Sequence, residues 1–495
     1  YGEIRLDSSL APEVSVRQGE GEGSARVVYP RVMSDEGALD VRVEVTILLP
    51  KGDERTRWRL KVENHTDLEI QRALFPCLNG LWLGDRWEDD ELIYPFDAGL
   101  CIPNPTGALS QRPAVVGWKW QEYNYAYALN GPCGERSEDG RYAWEHLYSG
   151  CCSMLWMDLF DRTEDAGLYI TCRNDGLRLK ALRIESFGPE RPGVGLSIVH
   201  LPCLSGGQAW MSEECVVALH PGDWHWAADD YGAWRRSVPM AEGSGLRRPE
   251  WFEKSPGLVA HYDFQYQGGG IVHRFCDIPR LWEEAHAMGM DHLLLSGWHV
   301  GGFDHGFPQY QPNPELGSEE ELRDALRAVR ERGGHVAFYV NSRLCNTEYP
   351  ERRALYERGA VMRREGRLAI ERYGAANLEF ACMCNQTHAW QDELARASLR
   401  LTEHVGADSL YLDQLMATAQ LCYHPGHKEH AGDPAGWNQG YTRLLDTLRS
   451  REPEEGMALL CEFAGDVHGW RVAGQLISTM FLLNIGSCPE VYKYT

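Results

Sequence analysis

The chain has 495 residues, more than one ordinary hydrophobic core holds, and its 43% hydrophobic and 24% charged residues are those of a globular protein of two or three domains. A formal net charge of -23 leaves no basic excess for a phosphate backbone or an anionic membrane surface, so neither nucleic acid nor membrane is an expected partner. No run of about twenty apolar residues is present to span a bilayer, and Tyr1-Gly-Glu-Ile-Arg-Leu6 lacks the basic and apolar regions of a signal peptide.

The first half reads as strands. Ala25 to Tyr29, Val41 to Leu49, Thr56 to Glu63 and Gly167 to Cys172 are β-branched or alternating, and Lys51-Gly-Asp and Asn174-Asp-Gly punctuate them as turns. Helical periodicity is nearly absent before residue 225, so residues 1–240 are expected to form a β-sandwich. The aromatic run Trp118 to Tyr127 reads as core packing or an edge hairpin. After Pro221-Gly-Asp-Trp-His-Trp226 comes a helix-compatible stretch, Ala227 to Arg236, and the Gly- and Pro-containing segment 242–249 marks the boundary.

From Gly257 strands alternate with helices. Leu258 to Phe264, His292 to Trp298 and His335 to Asn341 read as strands one to three. Asp277-Ile-Pro279 opens a helix, and Ser318-Glu-Glu-Glu321 is a capping box before the apolar face Leu322, Ala325, Leu326 and Val329. Thr387 caps a helix carrying Trp390, Leu394, Ala397 and Leu401. Gly406-Ala-Asp-Ser-Leu-Tyr-Leu-Asp413 and Ala458-Leu-Leu-Cys-Glu462 are the fourth and fifth strands, each a short apolar run ending in a carboxylate. The fold class is therefore multidomain β plus α/β, with a TIM-type (β/α)8 barrel over residues 250–495. At most six or seven strands are found before Thr495, so the barrel is expected to be incomplete at its carboxyl end.

Two acids at the carboxyl ends of successive parallel strands fit acid/base or nucleophilic work on a sugar, which needs one ionised and one protonated carboxyl. Asp413, beside polar Gln414, is the expected nucleophile. Glu462, between Cys461 and Phe463, is the expected acid/base, with Asp466 as its substitute. Asp263, Trp298, His299, Asp304, Asn341, Arg343 and Gln414 lie at or after strand ends and are the expected sugar contacts, an aromatic face packing on the pyranose while polar groups bind its hydroxyls.

Fifteen cysteines form no repeating framework, and Cys172 and Cys461 sit in apolar strands, which points to a reducing, cytoplasmic setting. Cys382-Met-Cys384 is too tight for a paired zinc signature. His424, His427 and His430 fall around Pro425-Gly426, which breaks any helix that would align them, so the loop reads as a polar active-site loop. No metal or cofactor is expected.

The Pro221 to Trp234 junction and the strand ends Tyr-Leu-Asp413 and Cys-Glu462 resemble bacterial glycoside hydrolases of the endo-α-N-acetylgalactosaminidase and α-galactosidase type. More narrowly, they resemble an uncharacterised glycosidase-like family of the same layout. Asn64-His-Thr-Asp67, Phe75-Pro-Cys-Leu-Asn-Gly80 and Asp89-Asp-Glu-Leu-Ile-Tyr-Pro95 are similar to a galactose-mutarotase-like sandwich. The resemblance implies retaining hydrolysis of an α-linked galactose- or N-acetylgalactosamine-like sugar, with Asp413 and Glu462 at the positions of nucleophile and acid/base. The α-galactosidases place their acid on a later strand, and this chain departs from them there. Two other functions fit the residues: a non-catalytic carbohydrate-binding protein, and a metal-dependent hydrolase using His424, His427 and Asp413.

Overall fold

The computed structural model describes residues 6–7, 12–18, 22–110, 140–238, 248–373, 376–427, 430–451, 456–476, 486–487 and 491. The aromatic run 118–127 lies outside them. The chain divides into two compact units, Tyr1–Ala241 with Ser478–Thr495, and Glu242–Ile477.

The first unit is built on two large antiparallel sheets. The larger has eleven strands and runs through Arg55–Asn64, Cys215–Pro221, Ala166–Cys172, Trp156–Asp161, Asp90–Tyr94 and Leu100–Pro103. The other has four: Tyr142–Tyr148, Lys180–Ser186, Val194–His200 and Ala73–Leu81. Period-two patterning decides which face is covered: in Arg55–Asn64 the side chains of Leu60, Val62 and Asn64 are buried while Arg57, Arg59 and Lys61 face out. The sheets touch through Trp58 and Phe75, whose rings lie 6.3 Å apart, and through the Tyr94 hydroxyl, 2.7 Å from His146 Nδ1. The junction helix spans His225–Ser237, where Trp226 stacks on His220 at 4.6 Å and the Tyr231 hydroxyl accepts from the Leu155 amide at 3.2 Å. Its aromatics are thus part of the first unit's own core.

The second unit centres on a six-stranded parallel sheet in chain order: β1 (Leu258–His261), β2 (His292–Leu295), β3 (His335–Asn341), β4 (Ser409–Asp413), β5 (Ala458–Glu462) and β6 (Gly474–Leu476). Its crossovers carry α1 (Ile278–Ala287), α2 (Glu319–Arg330), α3 (His388–Arg400) and α4 (Gly436–Arg449). The Ser318 capping box forms as expected: its hydroxyl accepts from the Glu321 amide at 3.1 Å and its amide donates to Glu321 Oε2 at 2.6 Å. Thr387 occupies its cap position, but its hydroxyl donates to the Cys384 carbonyl instead (2.9 Å).

A (β/α)8 barrel closes by pairing its last strand with its first; among the described residues β1 pairs only with β2 and β6 only with β5, so no closed barrel forms there. The first two strands also end early. At Gly297 the backbone turns into the left-handed region (φ 69°), and a Cβ there would lie 2.5 Å from the Gln265 carbonyl oxygen, so β2 stops at Leu295. Trp298 and His299 are thereby moved off the strand end and into a buried loop.

Candidate active site

Parallel register sets the site. Asn341 of β3 pairs with Asp413 of β4, and Leu412 pairs with Cys461, so Asp413 and Glu462 emerge side by side from one edge of the sheet. Side chains two apart on a strand share a face. Tyr339 and Asn341 therefore both reach Asp413 Oδ2, donating at 2.6 and 2.9 Å, and the Tyr411 hydroxyl lies 3.5 Å from Oδ1. The Ser342 amide and hydroxyl fix the Asp413 backbone carbonyl at 3.0 and 2.7 Å.

Each carboxyl also perturbs the other through a shared hydrogen bond. Burial, the charge of Asp413 and that shared bond raise Glu462 well above the usual carboxylate range, opposed by the Gln414 amide, 3.1 Å from Oε2. Burial raises Asp413 as well, against donors from Tyr339, Glu462 and Asn341 and the charge of Arg343, so it stays above the usual carboxylate range but is the more acidic of the pair.

A third acid joins them. The Tyr339 hydroxyl lies 3.2 Å from Asp304 Oδ1, and burial together with the charge of Asp413 raises the Asp304 carboxyl to about 7. Tyr262 faces all three: burial, then Asp413, Glu462 and Asp304, push its phenol upward. Asp304, Gln414 and Phe463 each adopt positive φ (52°, 60° and 64°), a conformation costing about 1–2 kcal/mol for an L residue. These turns bring Asp304 beneath Tyr339 and point the Gln414 amide at Glu462.

The other expected contacts divide. Asn341 and Gln414 join the acids. Arg343 is buried in a bidentate pair with Glu371 (2.6 and 2.7 Å) and also donates to Gln414 Oε1 at 2.9 Å, so it orients Gln414 and is committed to that ion pair. Trp298 is fully buried, its ring edge against Phe338 and its indole N–H donating to the Tyr339 carbonyl at 3.2 Å, so its ring is packed inside the unit. His299 is likewise buried against Phe307 and Tyr310, and burial lowers its ring to about 4. Asp263 lies between His273 Nε2 (3.4 Å) and His261 Nδ1 (3.8 Å). Glu462, not Asp466, is the carboxyl that meets Asp413. The trio His424, His427 and Asp413 does not converge: His424 Nε2 meets the Glu357 carbonyl at 3.2 Å, His427 Nε2 meets that of Arg358 at 2.7 Å, and Asp413 is held by Tyr339 and Asn341.

Tyr339, Tyr411 and Glu371 were not singled out from the sequence. A signal for the tyrosines exists in the spacing Tyr339/Asn341 and Tyr411/Asp413, where period two places each on the face of a polar strand end. Glu371 lies 28 positions from its partner Arg343 and carries no local mark.

With this geometry in place, residues 210–469, more than half of the chain, match the family described as a domain of unknown function (DUF6259). The chain belongs to this family. The matched span contains Asp304, Asp413 and Glu462. Among solved structures, the ligand-free α-N-acetylgalactosaminidase NagBb from Bifidobacterium bifidum has a similar fold (TM-score 0.66, 16% identity, 94% of this chain and 74% of that one). Its GalNAc complex gives 0.66 and 17% over 95% and 72%. The GH36 α-galactosidase AgaB from Geobacillus stearothermophilus gives 0.52 and 10% over 97% and 62%. At these identities the likeness is one of fold. No curated protein matches the chain. Among the described residues no helix is long and apolar enough to cross a membrane.

Proposed function

We propose that the chain is a retaining glycoside hydrolase acting on an α-linked galactose- or N-acetylgalactosamine-like sugar. The observation that carries this is the Asp413/Glu462 pair: two carboxyls on adjacent strand ends, one supplied with donors that favour its charge and the other pushed well above the usual carboxylate range by burial and the charge of its neighbour. In the first step Asp413 Oδ attacks the anomeric carbon, the glycosidic C–O bond breaks, and Glu462 gives its proton to the leaving oxygen. In the second, Glu462 takes a proton from water, the hydroxide replaces the Asp413 ester, and the carboxylate returns with net retention.

Tyr339 and Asn341 hold Asp413 at one oxygen, Oδ2, which favours attack from the other. The contact between the acids must open to admit a sugar, and Glu462 is the partly exposed member of the pair. The choice of α-galactose-like sugars rests on the fold shared with NagBb and AgaB, whose names state those activities. The test is hydrolysis of a panel of aryl α- and β-glycosides, with NMR of the first-formed anomer. Release of the α-anomer from an α-galactoside or α-N-acetylgalactosaminide supports the mechanism. An inverted anomer defeats double displacement, and calorimetric binding without hydrolysis assigns the chain to the carbohydrate-binding alternative.

A further inference from the structure

Four metal-type ligands meet away from the carboxylates. Cys384 leaves the strand Leu378–Cys382 just before α3, while Cys422, His427 and His430 lie on the connection from β4 to α4. One ligand atom from each lies within 4.8 Å of all the others. Cys384 Sγ is 3.2 Å from His430 Nε2, Cys422 Sγ is 3.2 Å from His427 Nδ1, and the two thiols hydrogen-bond each other. Cys384, Cys422 and His427 are buried and His430 is partly exposed. We propose that Cys384, Cys422, His427 and His430 form a closed Cys2His2 site for a zinc ion that ties the loop following Asp413 to the exit of the neighbouring β-hairpin.

Geometry, chemistry and the outer shell agree. A tetrahedral zinc with Zn–S near 2.3 Å and Zn–N near 2.0–2.1 Å spaces its ligands about 3.3–3.8 Å apart, so the observed 3.2 Å contacts need only a few tenths of an ångström of expansion. Two soft thiolates with two imidazoles favour zinc over magnesium or calcium. His427 Nε2 lies 2.7 Å from the Arg358 carbonyl, which only accepts, so the proton sits on Nε2 and the Nδ1 lone pair faces the cluster, as in an oriented metal-binding histidine. His424 is excluded, because its Nδ1 accepts from the Gly426 amide (3.0 Å) and its Nε2 meets the Glu357 carbonyl. Four protein ligands leave no open position, which makes the site structural rather than hydrolytic. Sequence spacing conceals it: Cys384 stands 38 positions before Cys422, outside any short zinc signature.

The test is metal content of the full chain purified under reducing conditions without chelator. Native mass spectrometry and elemental analysis should find close to one zinc per chain, lost in Cys384→Ser/Cys422→Ser and in His427→Ala but kept in His424→Ala. Should the ligand variants fail to fold, cobalt(II) added to the stripped wild-type chain gives the answer, with intense tetrahedral bands and a thiolate charge-transfer band saturating at one equivalent. A zinc-free chain that takes up no cobalt, a Cys384–Cys422 disulfide in the peptide map, or loss of metal from His424→Ala with retention in His427→Ala would overturn the proposal. The readout is independent of hydrolysis: a zinc-loaded chain inactive on every glycoside overturns only the proposed activity, and an active metal-free chain only the zinc site.

Discussion

Asp304→Asn tests the electrostatics that join the three acids. Burial, then the charge of Asp413, raises the Asp304 carboxyl from 3.8 to about 7, against an opposing hydrogen bond from Tyr339. The folded chain therefore keeps a proton that the unfolded chain releases near pH 4. The stability this contributes is complete below about pH 4 and is lost as pH rises through about 7. At about 1.4 kcal/mol per unit, three units amount to about 4 kcal/mol. Asp304 is partly exposed, which reduces this to about 2–3 kcal/mol. Asparagine has no proton to lose, and its amide oxygen can keep the Tyr339 hydrogen bond. The variant should melt about 4–12 °C above wild type at pH 8, with the gap closing by pH 4, in paired calorimetric scans. In an Asp413→Asn background the gap at pH 8 should shrink, since one source of the raised carboxyl is gone. An equal gap at both pH values, or a variant less stable at pH 8, would refute the coupling.

Three further substitutions separate chemistry from scaffolding. Glu462→Gln should lower kcat/KM about 10²–10⁴-fold on glycosides with poor leaving groups while sparing activated aryl glycosides, and should remove the alkaline limb of the pH profile. In the wild type that limb lies above the usual carboxylate range, because burial and the charge of Asp413 hold the Glu462 proton. Glu371→Gln leaves the buried Arg343 guanidinium without its bidentate partner and should cost about 3–5 kcal/mol by denaturant titration; a loss below about 1 kcal/mol would contradict the pairing. Trp298→Phe should lower stability by about 1–3 kcal/mol and leave KM for the sugar unchanged, whereas a raised KM with unchanged melting would restore Trp298 as a sugar contact.

Much of the site's skeleton was legible in the sequence because it depends on local pattern. Short apolar runs ending in Asp413 and Glu462 become neighbouring parallel strands, and the capping box at Ser318 to Glu321 forms on its own chemistry. What failed depended on backbone turns and distant partners. The left-handed turn at Gly297 removes Trp298 and His299 from the strand end, and Glu371 captures Arg343 from a separate hairpin. Alternation fixes parallel pairing without fixing strand number, and six strands form an open sheet among the described residues. Cys384, Cys422, His427 and His430 converge only through tertiary structure, so spacing rules miss them.

The central claim is that Asp413 is the nucleophile, and covalent trapping tests it most directly. The chain is incubated with a fluorinated, activated α-galactoside or α-N-acetylgalactosaminide that forms the glycosyl ester faster than it hydrolyses, then digested and analysed by mass spectrometry. The predicted result is one sugar on the peptide containing Asp413. Asp413→Asn should show no label, a cooperative melt no lower than wild type and about 10⁴-fold or greater loss of turnover. A label on Glu462 or Asp304, or wild-type turnover in Asp413→Asn, would contradict the account.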